Sequence, residues 1–171
     1  MKKRLIIMAF LLIGAFTFAQ NDHSENIKRD GNKMINFMIE KDYESLSLFT
    51  YPVIIEWMGG KEKMINLISK EMQRIEDQGV VFIELSIGEP EKLYEAGKEI
   101  HCLVPQKVIL ENKNGKIISS SHLLAVSVDY GENWYFVDTA QLTSENVTVL
   151  FPKFNSDLKI PDKIQPEFVL N

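Results

Sequence analysis

The chain has a single cysteine and three histidines in 171 residues, and these scarcities exclude whole classes of protein. Cys102 on its own cannot close an internal disulfide, so no disulfide framework holds the fold. The histidines, at 23, 101 and 122, stand too far apart in sequence to form a metal-ligand motif. Lysine and arginine (19) are outnumbered by aspartate and glutamate (24), and the resulting charge of −5 repels phosphate backbones. No basic stripe interleaved with aromatics compensates, so nucleic acid is not an expected partner. No internal period recurs and no catalytic signature stands out, so neither a cofactor nor a metal is expected. Stability must come from an ordinary apolar core, for which 45% hydrophobic residues suffice.

What is present begins at the N-terminus. Lys2, Lys3 and Arg4 form a positive stretch, Leu5 to Phe16 is apolar apart from Gly14, and Thr17-Phe18-Ala19 puts small residues before Gln20. This succession predicts a secretory signal peptide over 1–19, cut between Ala19 and Gln20. The apolar run is shorter than the roughly 20 residues that cross a bilayer, and polar Gln20-Asn21-Asp22 follows at once. Glutamine rather than cysteine at the cut excludes a lipid anchor. The mature protein is expected to be secreted or periplasmic, with no membrane contact and a more acidic charge once three cations are removed.

A polar lead-in at 20–25, one domain over 26–150 and an extended tail over 151–171, punctuated by Pro152, Pro161 and Pro166 and packed on the domain, account for the remainder. Ile27, Met34, Ile35, Met38 and Ile39 recur at helical spacing around Gly31. Asp42 is placed to cap a short helix from Tyr43 to Phe49. Tyr51 to Trp57 is rich in β-branched and aromatic residues and predicts a short strand, with Pro52 at its start or on an edge. Gly59-Gly60 turns the chain into a third helix, whose stripe is Met64, Ile68, Met72 and Ile75 and whose stop is Gly79. From Val80 the period changes to two. Val81, Ile83, Leu85 and Ile87 alternate with Phe82, Glu84 and Ser86; a turn at Glu95–Lys98 leads into a long strand over 99–112, bulged or bent at Pro105. Asn114-Gly115 signals a hairpin into a strand from about Ile117 to Val128, and Trp134 to Thr139 completes the meander.

The order two helices, short strand, helix, antiparallel strands resembles the cone-shaped fold of nuclear transport factor, ketosteroid isomerase and polyketide cyclases over roughly Asn26 to Thr139. The expected class is therefore α+β, with N-terminal helices packed in a curved antiparallel sheet, cystatin-like, around a cavity. The stretch VPQKVILENKNGKIISSSHLLAVSVDYGENWYFVD also looks like a group of small secreted bacterial proteins of that fold. A fold of this kind transfers no mechanism.

Within that stretch, Ser127 to Phe136 fits S-x-D-x-G-x-x-W-x-F and resembles the aspartate-box turn of sialidases and other propellers. One box in one small, half-helical domain excludes a propeller. Ser127, Asp129, Gly131 and Trp134 are read instead as a structural turn: the carboxylate accepts from turn N–H groups, the glycine takes a conformation a side chain resists, and the indole packs beneath.

The candidate cavity residues are His122, Asp138, Glu56 and Trp134. His122 shares strand parity with Leu124, Val126 and Val128; a satisfied core histidine is the plainer account of it than a base. Asp138 shares parity with Trp134 and Phe136, where apolar walls raise a carboxyl pKa toward that of a general base, although a hydrogen-bonded rim residue is commoner. Glu56, beside Trp57, offers a second carboxylate or a solvated edge residue. Adjacent His101 and Cys102 point to opposite faces of a strand and cannot share a metal. No catalytic pair emerges. The leading expectation is a non-catalytic binding or scaffold domain for a small apolar ligand or a protein, with homodimerisation through the sheet compatible. The alternative is a small isomerase, cyclase or dehydratase using Asp138, His122 or Glu56.

Overall fold

The computed structural model describes residues 23–143 and 145–170, so the expected leader and its cut between Ala19 and Gln20 lie outside the described residues. Helix α1 covers 23–39 and is already helical where the polar lead-in was expected to continue. Its buried apolar side chains are Ile27, which packs on the sheet, and Ile35. Gly31 interrupts this stripe for a spatial reason: a side chain there would collide with Ile87 and Phe136, which pack directly on the helix backbone. The propensity lost at glycine is offset by this close approach.

Asp42 caps α2 (Tyr43–Leu46), its Oδ1 accepting the Ser45 N–H at 3.1 Å, and a 3₁₀ turn over Ser47–Phe49 follows. The expected strand at 51–57 is instead helix α3 (Pro52–Trp57). Proline occupies the first helical position, where its fixed φ is suitable and its missing N–H has no intrahelical role. Val53 and Ile54 pack against the tail-side core, and this tertiary contact overrides their β propensity. Helix α4 (Lys61–Asp77) buries Met64 and Met72 and ends before Gly79, as its stripe predicts. Among the described residues no helix is long and apolar enough to cross a membrane.

The helices are followed by an open antiparallel sheet of six strands: β1 (Val81–Ile87), β2 (Leu93–Ala96), β3 (Glu99–Asn112), β4 (Gly115–Ser127), β5 (Tyr135–Asp138) and β6 (Glu167–Leu170). The long β3–β4 hairpin, closed by Lys113-Asn114, forms its centre. One edge of β3 is shared by β2 and β1, which pair with 99–102 and 106–111. Pro105 stands where one partner gives way to the other, its carbonyl accepting from the Gly88 N–H at 2.8 Å. The irregularity expected at Pro105 falls in β1, where Ile83 is the extra residue between Phe82 and Glu84. That bulge breaks the simple alternation, and Val81 and Ile83 are exposed.

The outer edge of β4 is also shared. β5 pairs with Leu123–Val126 and β6 with Gly115–Ile118. Both faces of the sheet are covered. On one, Val104, Leu123, Ala125, Trp134 and Phe136 pack with Ile27 of α1. On the other, Leu103, Leu124, Val126 and Val137 pack with Tyr51, Phe151 and Leu158. The tail is thus a second layer of cover: Phe151 is 1% and Leu158 2% exposed. Each large side chain so buried contributes roughly 1.5 to 3 kcal/mol, which offsets the ordering of an otherwise irregular segment.

Candidate functional site

The aspartate-box turn connects β4 to β5 and is bonded throughout. Asp129 Oδ1 accepts from the Asn133 N–H at 3.0 Å and from the Ser127 hydroxyl at 2.8 Å, while Oδ2 accepts from the Asn133 side-chain amide at 2.7 Å. Ser127 Oγ in turn accepts the Gly131 N–H at 2.9 Å. Burial pushes the Asp129 carboxyl up, but these hydrogen bonds outweigh it and hold the group below the usual carboxylate range. Gly131 has φ 88, and a side chain on it would meet the ring of His23. Trp134, 2% exposed, donates its indole N–H to the Gly131 carbonyl at 3.0 Å. Helix α1 holds this turn through one face: Asn26 donates to the Gly131 carbonyl at 2.9 Å, Arg29 to the Glu132 carbonyl at 2.6 Å, and Asp30 accepts the Trp134 N–H at 3.1 Å. Three hydrogen bonds from α1 thus meet backbone groups of the box, so the turn is a clasp between helix and sheet.

Two hollows among the described residues bear on the candidate residues. The first, of about 420 Å³, is a half-open hollow lined by residues of α1, α3, α4 and the sheet. Its walls are apolar, including Met34, Met38, Met58, Ile68, Leu85 and Phe136, with Thr50, Gln106, Asp138 and Gln141 as the polar groups. Trp57 borders it at 62% exposure. The second, of about 720 Å³, is a groove between the opposite face and the tail, with Ser119–Ser121, His122, Phe154 and Leu158 in its walls.

Of the four cavity candidates, Asp138 alone borders the helix-side cavity. His122 faces the groove, with Nε2 3.4 Å from a Glu91 carboxylate oxygen. Asp138 pairs with Leu123 in the ladder, so the register puts it on the face opposite His122. Its carboxylate accepts the Ala140 N–H at 2.9 Å and caps the 3₁₀ turn Thr139–Gln141. It borders both hollows at their junction. Glu56 is exposed on α3 and borders neither, and Trp134 is sealed beneath the box. The structure therefore brings His122 and Asp138 to one groove from opposite faces of the sheet and leaves Glu56 and Trp134 outside both hollows.

One polar constellation was not anticipated from sequence. Tyr51 donates its hydroxyl to Glu99 Oε1 at 2.6 Å, and Glu99 Oε2 lies 2.9 Å from His101 Nε2. His101 is fully buried against Phe151 and Phe154, and its Nδ1 has no partner. Burial pushes its pKa down, only partly countered by Glu99; burial and Glu99 together raise the Tyr51 phenol far above its usual range. The available signal was the i, i+2 spacing of Glu99 and His101 on one strand face. Cys102, on the opposite face, is buried with its thiol pushed up to about 12, which makes it unreactive.

No protein-family model, curated protein or solved structure matches the chain. The functional reading rests on the geometry of its own residues.

Proposed function

We propose that the protein is a secreted, non-catalytic binding module that holds an apolar group in the cavity between the helices and the sheet. The observation that carries this reading is the cavity itself: about 420 Å³, apolar on nearly all sides, with its few polar groups gathered toward the sheet. That is the composition of a site that gains affinity from burial and orientation from a few hydrogen bonds. Methionines on α1 and beyond α3 give it adaptable walls. Catalysis by proton transfer requires two tuned groups within reach of one substrate, and of His122, Asp138 and Glu56 only Asp138 borders this apolar cavity. The resemblance to the cone fold agrees with a cavity in this position, and the leader sequence supports export.

Trp57 reports on this cavity because the other tryptophan, Trp134, is buried elsewhere. Titration with N-phenyl-1-naphthylamine, an uncharged aromatic probe, is expected to quench or shift Trp57 emission saturably. Trp57→Phe should abolish the protein-side signal, and Ile35→Phe, which pushes a ring into the cavity, should weaken binding. A probe that leaves Trp57 unperturbed, or binds Ile35→Phe as well as wild type, would remove the basis for the reading.

A further inference from the structure

The apolar hollow beside the helices has one charged residue in its lining, and that residue is an acid. Thr50, Gln106 and Gln141 are neutral, Asp138 carries the charge, and no lysine, arginine or histidine among the described residues lines the hollow with them. Asp138 is exposed as well as bordering the hollow, so it stands at an open side. Its carboxylate is half used. Oδ1 accepts the Ala140 N–H at 2.9 Å, while Oδ2 takes no hydrogen bond from the described residues. Lys159 and Lys163 line the groove but not this hollow.

A carboxylate at the polar side of an apolar site repels a second carboxylate and offers nothing to a neutral acceptor. An ammonium meets the opposite charge there and donates to the idle oxygen, a charge-assisted hydrogen bond stronger than a neutral one. Because Asp138 keeps solvent on one side, the ammonium retains part of its water. The desolvation that weakens a fully buried ion pair is therefore not incurred in full.

We infer that the ligand of this hollow is a primary amine carrying an apolar chain or small ring system, with its hydrocarbon among the methionines and its ammonium on Asp138 Oδ2. The side-chain oxygens of Thr50 and Gln141 belong to the same lining and are acceptors for its other N–H groups. The volume, about 420 Å³, lies low in the range of roughly 300 to 1,000 Å³ for small-ligand sites, which suits a hydrocarbon part of this size. The inference rests on the cavity-binding reading for its site and goes beyond it in the charge and class of the ligand.

The test is displacement of N-phenyl-1-naphthylamine from the purified protein by decylamine, decyltrimethylammonium and decanoate, each held below its micelle concentration. The chain is common to all, so differences report the head group. Decylamine, protonated at about pH 7 like a lysine side chain, should bind about tenfold or more tightly than decanoate. It should also exceed decyltrimethylammonium, which has the charge but no N–H to donate. Asp138→Asn retains an oxygen for the Ala140 N–H and should erase most of the preference for decylamine over decanoate. If that variant does not fold, Gln141→Lys gives the same comparison: it adds a cation to the lining at an exposed position and should raise decanoate affinity while lowering that of decylamine. Decanoate binding wild type as tightly as decylamine does, or a preference for decylamine that both variants leave intact, overturns the inference. Equal affinity for decyltrimethylammonium overturns the hydrogen bond to Oδ2 and with it the primary amine. If the naphthylamine binds in any of these cases, the cavity reading survives alone; if it does not bind at all, both fall.

Discussion

The buried carboxylate of Asp30, 3% exposed, accepts the backbone N–H of Trp134 at 3.1 Å and at the same time receives both a terminal nitrogen and the Nε of Arg29 at 2.8 Å. One side chain thus joins α1 to the first residue after the box turn. Asp30→Ala leaves the Trp134 N–H buried without an acceptor, a loss of roughly 1 to 3 kcal/mol. Asp30→Asn retains an acceptor oxygen and should recover part of the loss in denaturant unfolding. Equal midpoints for wild type and Asp30→Ala would show that the contact contributes nothing.

Asp129→Ala should cost roughly 1 to 2 kcal/mol, the scale of carboxylate-to-backbone caps, and leave probe binding unchanged in the folded fraction. The carboxyl is depressed in the folded state, so its contribution is present above the unfolded carboxylate pKa and is lost as pH falls through the folded value. The difference between wild type and variant should therefore shrink in acid. A variant with unaltered stability but no probe binding would assign the box to the site.

His101 has the opposite charge type, and its pKa is lowered by burial. As pH drops below about 6.5 the unfolded chain takes up a proton there before the folded chain does, so stability declines until the folded value is reached. His101→Gln retains a donor toward Glu99 but does not titrate. Its unfolding free energy should vary less than that of wild type between about pH 6.5 and 5, the window set by the unfolded histidine. His23 and His122 are common to both proteins and cancel in the comparison.

Asp138→Asn retains an oxygen that can cap the Ala140 N–H and should reduce probe affinity by less than about tenfold, because burial supplies most of the binding. His122→Ala, on the other face of the sheet, should leave naphthylamine affinity unchanged. Assays of wild type against isomerase and dehydratase substrates complete the comparison. Turnover that falls by around two to four orders of magnitude in either variant is the signature of a catalytic acid or base, and would replace the binding reading with the enzymatic one.

Much of the architecture was legible in the sequence because local signals and packing agree there. The stripe of α4, the Asp42 cap and the extent of β3 each follow from periodicity or capping chemistry. Residues 51–57 were not legible: their composition favours a strand, and only the contacts of Val53 and Ile54 with the core decide for a helix. The assignment of faces failed for another reason. Parity within each strand does not say how two strands match across a turn, and the register sets Leu124 opposite Val137 and Ala125 opposite Phe136. Turn geometry fixes that offset, and counting residues does not. The cavity was hidden because Met34, Met38 and Ile68 have the spacing of ordinary core, and β2 and β6 are too short to show a period.

The β3–β4 hairpin also sets an order of events. Its thirteen paired positions, from Asn112 with Gly115 to Ile100 with Ser127, zip outward from a two-residue loop, whereas α1 finds Gly131, Glu132 and Trp134 only across separations of 103 to 105 residues. Contacts that close short loops form first, and distant ones wait on loop-closure entropy. During synthesis Asn26, Arg29 and Asp30 of α1 therefore remain without these partners until residue 134 has been made. The earliest of the described helices is among the last to complete its contacts.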